Sequence, residues 1–284
     1  MTEYNQHFEK ALDFINIYQE LIDCHLVDFI TEGLWDKCLP EKLRSELENI
    51  DMSGDIWEEN NTDSELSNFI QLTKSLSLES CPAVICVDDL PKLLPQFSTE
   101  RMIENKFVYP KFELMNTKKS HEIEVLGKVI AEIALSTRSL VIDAGAGKAY
   151  LSTYLSEHFN IPVLAIDSSQ VCHKGAINRQ EKIQKRKRTL TKIIIYHNVI
   201  KIVIFLLIPP AYVLQEIYQN HIHFESRLRL FQMLRIYMSS VVEAAIMLDR
   251  IIFLQNDIKC SKVAVIRLFD PTLSPRCYGI IATK

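Results

Sequence analysis

Leu140-Val141-Ile142-Asp143-Ala144-Gly145-Ala146-Gly147-Lys148-Ala149-Tyr150-Leu151-Ser152 reads as a buried strand that runs into a glycine turn and then into a helix. The apolar residues Leu140 to Ile142 predict a strand covered on both faces. Gly145 and Gly147 let the backbone turn sharply and approach a ligand with no Cβ in the way. Helix is expected to restart near Lys148 and to run through Leu151, Tyr154 and Leu155. This order of elements predicts a Rossmann-like α/β corner. Tyr150 stands where a dinucleotide fold places its third glycine, which disfavours a cofactor of the NAD type. A phosphate loop fits less well still, because Ala149 and not Ser or Thr follows Lys148, and Ile142 holds the position of that motif's first glycine.

A second acidic residue should close the next strand, about 20 residues on, to bind ribose hydroxyls. Ile161-Pro-Val-Leu-Ala-Ile166-Asp167 supplies it. An acid, a Gly-x-Gly turn, a helix and a second acid form the pattern used by S-adenosylmethionine-dependent methyltransferases. The glycine turn by itself fits an ordinary strand-to-helix connection equally well. Asp167 and the strand-helix-strand context select the binding reading.

With 284 residues, 48% of them apolar, the chain can bury a sizeable core as one large domain or two small ones. Its net charge of -4 gives no whole-chain attraction to nucleic acid. Cys24, Cys38, Cys81, Cys86, Cys172, Cys260 and Cys277 form no C-x-x-C pair and are odd in number. That favours reduced thiols over a disulfide framework or a metal site, and a cytoplasmic or nuclear protein. The residues after Met1 lack a basic region followed by an apolar run, so no secretory signal is expected.

Phe8, Ala11, Leu12, Ile15, Tyr18, Ile22, Leu26, Phe29 and Ile30 recur at helical spacing and predict one long helix ending near Gly33, with Trp35 and Leu39 extending its seam. The acidic stretch from Asp51 to Glu65 reads as a solvated loop. Thr117 is a plausible N-cap for a helix that carries Ile123, Leu126, Ile130 and Ile133 on one face. Lys118, Lys119, His121 and Glu122 crowd the start of that helix, either as an exposed polar cap or as a place to hold an anion. His121 and Glu122 are adjacent and diverge on the helix, which argues against a shared metal. Phe224, Leu228, Phe231, Leu234, Met238, Val242, Ala245, Leu248 and Ile252 mark a second long helix, with Arg227, Arg229 and Arg235 as a solvated edge. Two strands joined by the proline-bearing loop 270–276 are expected to finish the sheet. The expected division is a helical region at 1–108 and a Rossmann-like domain at 109–284, with 182–222 an atypical insert or junction.

The chain resembles the methyltransferase-like 25 family, whose members are also described as having a ribosomal-RNA adenine dimethylase-like domain. Four blocks carry the resemblance. They are Phe29 to Asp36, Met115 to Glu122, Val141 to Ser152, and a set running from Val242-Glu243 and Asp249-Arg250 to Phe269-Asp270-Pro271 and Ser274-Pro275-Arg276. The second is similar to a motif of the type Met-Ser-Pro-Lys-Lys-x-His-Glu, with Asn116 and Thr117 replacing its Ser-Pro pair. The resemblance covers residues 1 to about 175 and about 225 to 284. It implies S-adenosylmethionine as cofactor, with the methionine moiety near Gly145 and Gly147, the ribose on Asp167, and Asp143 ordering the glycine loop and the ammonium end. It further implies that Lys119 and His121 flank the cofactor or the acceptor. No catalytic base and no metal are implied, and the methyl acceptor, RNA or protein, is left open.

The middle departs from the family. Lys182 to Arg188 is a basic run, and Ile193 to Leu214 is rich in isoleucine and interrupted by Pro209-Pro210. Three readings compete here. As a membrane span the segment is short of the roughly 20 apolar residues needed, although the basic flank suits an anchor. Ile202 to Ile208 suits a replacement strand, and Pro209-Pro210-Ala211-Tyr212 offers only a strained match to an acceptor loop, with Ile208 where a polar residue belongs. The favoured reading is a splice or gene-model junction, because family-like sequence resumes cleanly beyond it. The expected protein is a methyltransferase-like chain with an incomplete sheet and reduced activity. Its alternatives are a non-catalytic interaction protein and a weakly membrane-associated protein using 193–214.

Overall fold

The computed structural model describes residues 3–50, 64–94, 117–172, 174–178, 193–196 and 211–284. Its helices are α1 (Glu3–Ile17), α2 (Gln19–Asp23), α3 (Leu34–Cys38), α4 (Glu41–Glu48), α5 (Glu65–Leu76), α6 (Leu90–Leu93), α7 (Thr117–Thr137), α8 (Tyr150–Phe159), α9 (Ala211–His221) and α10 (Glu225–Asn256). Its strands are β1 (Val84–Cys86), β2 (Val141–Ala144), β3 (Val163–Ile166), β4 (Ile193–Tyr196), β5 (Lys262–Arg267) and β6 (Tyr278–Thr283). The chain divides into two compact units, one of Met1–Ile85, Leu206–Val265 and Ile280–Lys284, the other of Cys86–Phe205 and Ile266–Gly279. This division differs from a single boundary at 108. The physical reason is α10, which packs along α1 and α5 and so joins the N-terminal helices.

The first unit is a helical core. Phe231 on α10 is fully buried and meets Phe29 edge-on, with ring centroids 5.2 Å apart. Phe14, Tyr18 and Phe69 form a second aromatic group beside it. The expected continuous helix to Gly33 is broken: α1 stops at Ile17, α2 stops at Asp23, and Gly33 adopts φ 61° before α3. Arg235 reaches back from α10 to donate to the carbonyls of Cys24 (2.8 Å) and Ile22 (3.3 Å), where α2 ends and carbonyls lack helical partners. Arg227 lies over the Trp35 ring and pairs with Glu48 at 3.0 Å, so two of the three arginines expected at a solvated edge tie α10 to its neighbours. The Glu46 carboxylate accepts from the N–H groups of Glu65 (2.9 Å) and Leu66 (3.0 Å), and the Ser64 hydroxyl accepts from Ser67, which together cap α5. All seven cysteines are free thiols. Burial first, then the neighbouring Cys24 and Glu20, push the Cys38 thiol up to about 11.

The second unit holds a parallel sheet in the order β2-β3-β4, with Val141 opposite Val163 and Val163 opposite Ile193. One face, bearing Val141, Val163 and Ala165, is covered by α7, α8 and residues around Ala176. The other is open: Leu140 is 55% and Ile142 61% exposed. The expectation that Leu140 to Ile142 would be covered on both faces is therefore overturned. Among the described residues β2 is the edge of its sheet, so nothing packs or pairs beyond it. Ile193 to Tyr196, quoted within the atypical segment, is a third strand of this sheet.

α7 buries Ile123, Gly127, Val129, Ala131 and Ala134, while Leu126, Ile130 and Ile133 stay half-buried. The reason is Gly127, where an added Cβ would stand 2.4 Å from the Tyr154 ring, so the small side of the helix turns toward α8. The terminal hairpin forms as expected, with Ser261 N–H bonded to the Thr283 carbonyl and Leu268 N–H to that of Cys277. It pairs in a separate sheet of order β1-β5-β6 and does not finish the parallel one. Among the described residues, no helix is long and apolar enough to cross a membrane. The basic run at 182–188, the strand reading of Ile202–Ile208, Pro209-Pro210 and residues 51–63 lie outside the described residues.

Candidate cofactor-binding corner

Asp143, Gly145, Gly147 and Asp167 come together where β2 and β3 end. Gly145 (φ 78°) and Gly147 (φ 57°) are left-handed, and no atom lies within 4 Å of where a Cβ on either would stand. The glycines therefore bend the chain and leave open space beside it. A third left-handed residue follows at Ala149 (φ 53°), so α8 begins at Tyr150 and not at Lys148. A non-glycine residue there is held against a strain of about 1–2 kcal/mol. Ala149 is buried against Ala165 and Ala176, and only small side chains would let the turn sit so low on β3. That alanine cluster was not legible as part of the site. Its signal was the run of small residues at 144, 146 and 149 around the glycines.

The turn's N–H groups are already engaged. Gly145 and Ala146 donate to the Ile166 carbonyl at 2.7 and 3.0 Å, and Gly147 donates to Asp167 Oδ2 at 2.7 Å. The other oxygen of Asp167 accepts from Ser169 N–H at 2.7 Å. A phosphate cradle needs successive N–H groups aimed outward; here three of them point to the end of β3. Asp143 Oδ2 accepts from the Ser152 hydroxyl at 2.5 Å. The corner is thus lined by two carboxylates, and the N–H groups of Gly145, Ala146 and Gly147 are turned back onto β3. Carboxylates take hydrogen-bond donors, and S-adenosylmethionine, the cofactor that the resemblance implies, offers them as ribose hydroxyls and an ammonium. Asp167 would hold the ribose hydroxyls through its remaining lone pairs, and Asp143 the ammonium.

Lys119 and His121 are placed at a second cluster of the same unit. Lys119 pairs with Glu122 at 3.3 Å, and the His121 ring faces Phe269 at 6.1 Å. Glu122 accepts from the buried Ser274 hydroxyl at 2.9 Å, so motifs 152 positions apart in the chain meet here. Burial pushes the Glu122 carboxyl up, but the Ser274 hydroxyl and the Lys119 and Lys118 ammonium groups together hold it below its ordinary value. The hydroxyl and N–H of Thr272 hold the Asp270 carboxyl down as well, against the opposing effect of desolvation, and Arg267 and His121 add smaller contributions in the same downward direction. Among the described residues, no group of three or more His, Cys, Asp or Glu is placed to hold a metal ion.

Residues 118–199 match the family described as Methyltransferase domain. The match extends through β4, past residue 175 where the resemblance was expected to lapse. At the level of individual proteins, the chain is similar to probable methyltransferase-like protein 25 of Mus musculus, 28% identical over 202 residues, or 62% of this chain and 32% of the relative. It is equally similar to probable methyltransferase-like protein 25 of Homo sapiens, 28% identical over 205 residues, or 62% of this chain and 34% of the relative. The aligned region spans about a third of the length of these relatives. No solved structure matches the chain.

Proposed function

We propose that this methyltransferase-like chain binds S-adenosylmethionine at the corner formed by Asp143, Gly145, Gly147 and Asp167. The observation that carries this reading is the meeting of two strand-end acids, Asp143 and Asp167, with a left-handed glycine turn whose N–H groups at Gly145, Ala146 and Gly147 are held by Ile166 and Asp167. When bound, the cofactor supplies an activated methyl group, and the protein's task is to position it against an acceptor. Lys119 and His121, at the start of α7 and in the cluster with Glu122 and Phe269, are proposed to flank the cofactor or the acceptor. Turnover is proposed to be reduced or absent in this chain. The uncovered face at Ile142 supports that reading, because a parallel sheet of this kind is ordinarily covered on both faces. RNA or protein is the proposed acceptor class.

Calorimetric titration with S-adenosylmethionine tests the binding reading. Saturable binding by the wild-type chain that is lost in Asp143→Ala and in Asp167→Ala is the expected result. Both acids also hold the local fold, Asp143 through Ser152 and Asp167 through Gly147, so each variant is first shown by circular dichroism to be folded. No heat of binding by the wild-type chain would overturn the proposal.

A further inference from the structure

Resting on the reading that the corner binds S-adenosylmethionine, we infer that Ser152 is a positioning residue that sets the chain's preference for nucleosides carrying an amino-acid tail. Ser152 lies in the first turn of α8, is fully buried, and donates its hydroxyl to Asp143 Oδ2 at 2.5 Å. A carboxylate on a short side chain has two oxygens and one free rotation about its terminal bond. Fixing Oδ2 to a buried donor in the helix therefore fixes where Oδ1 points. Asp143 itself is only half-buried, so Oδ1 keeps acceptor capacity for a ligand donor.

The same bond ties the strand's acid to the helix that follows the turn, so the acid and the glycines are held in one geometry. The matching ligand group is an ammonium, because a carboxylate with one oxygen already satisfied is an acceptor with charge to share. Ser152 touches no ligand in this scheme and acts only through Asp143. Its loss should weaken recognition of the amino-acid end and leave recognition of the nucleoside end, at Asp167, unchanged.

The test is calorimetry with two phosphate-free nucleosides, S-adenosylhomocysteine, which carries the amino-acid tail, and 5′-methylthioadenosine, which lacks it. In the wild-type chain both bind, the first more tightly. In Ser152→Ala, affinity for S-adenosylhomocysteine is expected to fall about tenfold, the scale of one hydrogen bond to a charged group. Affinity for 5′-methylthioadenosine should stay within about twofold, as one bond's loss at the tail does not reach the ribose. Ser152→Cys, nearly the same size with a weak donor, should behave like the alanine variant. Ser152→Thr, which keeps the hydroxyl, should restore the preference.

Retained methylthioadenosine binding also reports that a variant is folded. Equal loss for both ligands, or no loss for either, would overturn the role of Ser152 while leaving the binding site standing. Failure of the wild-type chain to bind either nucleoside would overturn the site itself, and this inference with it.

Discussion

The helical unit and the sheet unit are built from similarly apolar segments, yet they finish differently. Along α10, Leu230, Phe231, Leu234, Met238 and Val241 disappear into a core shared with the N-terminal helices, and Leu248 and Ile251 are fully buried further along. Along β2, half of an equally apolar stretch faces outward, because among the described residues the strand has a neighbour on one edge and helices on one face. A helix needs one partner surface to bury its stripe, whereas a parallel strand needs two layers and two flanking strands. Apolar content therefore predicts burial well for α10 and poorly for β2. The corner proposed to bind the cofactor does not depend on the open face, since it is made by the covered face and the strand ends.

The sharpest way to break the comparison is to truncate one large residue in each unit. Phe231→Ala should destabilise the helical unit by about 3–5 kcal/mol, through lost burial and a cavity. Ile142→Ala should change stability by no more than about 0.5 kcal/mol, as for an exposed position. Urea unfolding followed by circular dichroism measures both, and comparable losses would show that something covers Ile142 in solution. A smaller effect is expected at the packing of α7 on α8. Gly127→Ala drives a methyl into the Tyr154 ring and should cost about 1–3 kcal/mol. Pairing it with Tyr154→Leu should return part of that loss, whereas strict additivity in thermal melts would refute the contact.

Ser274→Ala removes the donor to Glu122 and should cost about 1 kcal/mol at neutral pH. Glu122 has its folded value below the unfolded one near ~4.3, so its stabilisation is present above that pH and is lost as pH falls through the folded value. The difference between wild type and variant should therefore shrink in acid, and a difference constant from pH 7 to pH 3 would show that Glu122 is not the partner. The smallest effect belongs to Glu243 on α10, whose carboxyl is pushed up by burial. Its folded value lies above the unfolded one, so stability is greatest below ~4.3 and is lost as pH rises through the folded value. Glu243→Gln should raise the melting temperature slightly at pH 7 and leave it unchanged near pH 4. A lower melting temperature at pH 7 would mean that the ionised carboxylate is wanted there.

Much of the corner was legible in the chain. The strand at 141–144, the turn at Gly145 and Gly147, the acid at Asp167 and the helix around Tyr154 all stand where local rules put them, as does the amphipathic stripe of α10. The break of the first helix at Ile17 was not legible, because its apolar spacing continues through Tyr18 and Ile22 on the far side of a turn that contains no glycine or proline. Nor was the rotation of α7. Periodicity favoured the strip of Leu126, Ile130 and Ile133, but Tyr154 demands a small residue at Gly127, and the buried strip shifts to Ile123, Gly127, Ala131 and Ala134, with Ile130 at its border.

The amino-acid sequence by itself determined the local matters: which backbone positions could turn left-handed, which acids end strands, and where helical stripes run, since each depends on residues within a few positions. Only the tertiary structure decided the rest. It placed α10 with the N-terminal helices, sent the terminal hairpin to a sheet with β1, brought Glu122 to Ser274, and left one face of β2 open. The physical reason is that these outcomes depend on pairings between segments far apart in the chain. Hydrophobic contact is non-directional, and many such pairings satisfy the same pattern until the surfaces meet and the small residues, such as Gly127 and Ala149, choose among them.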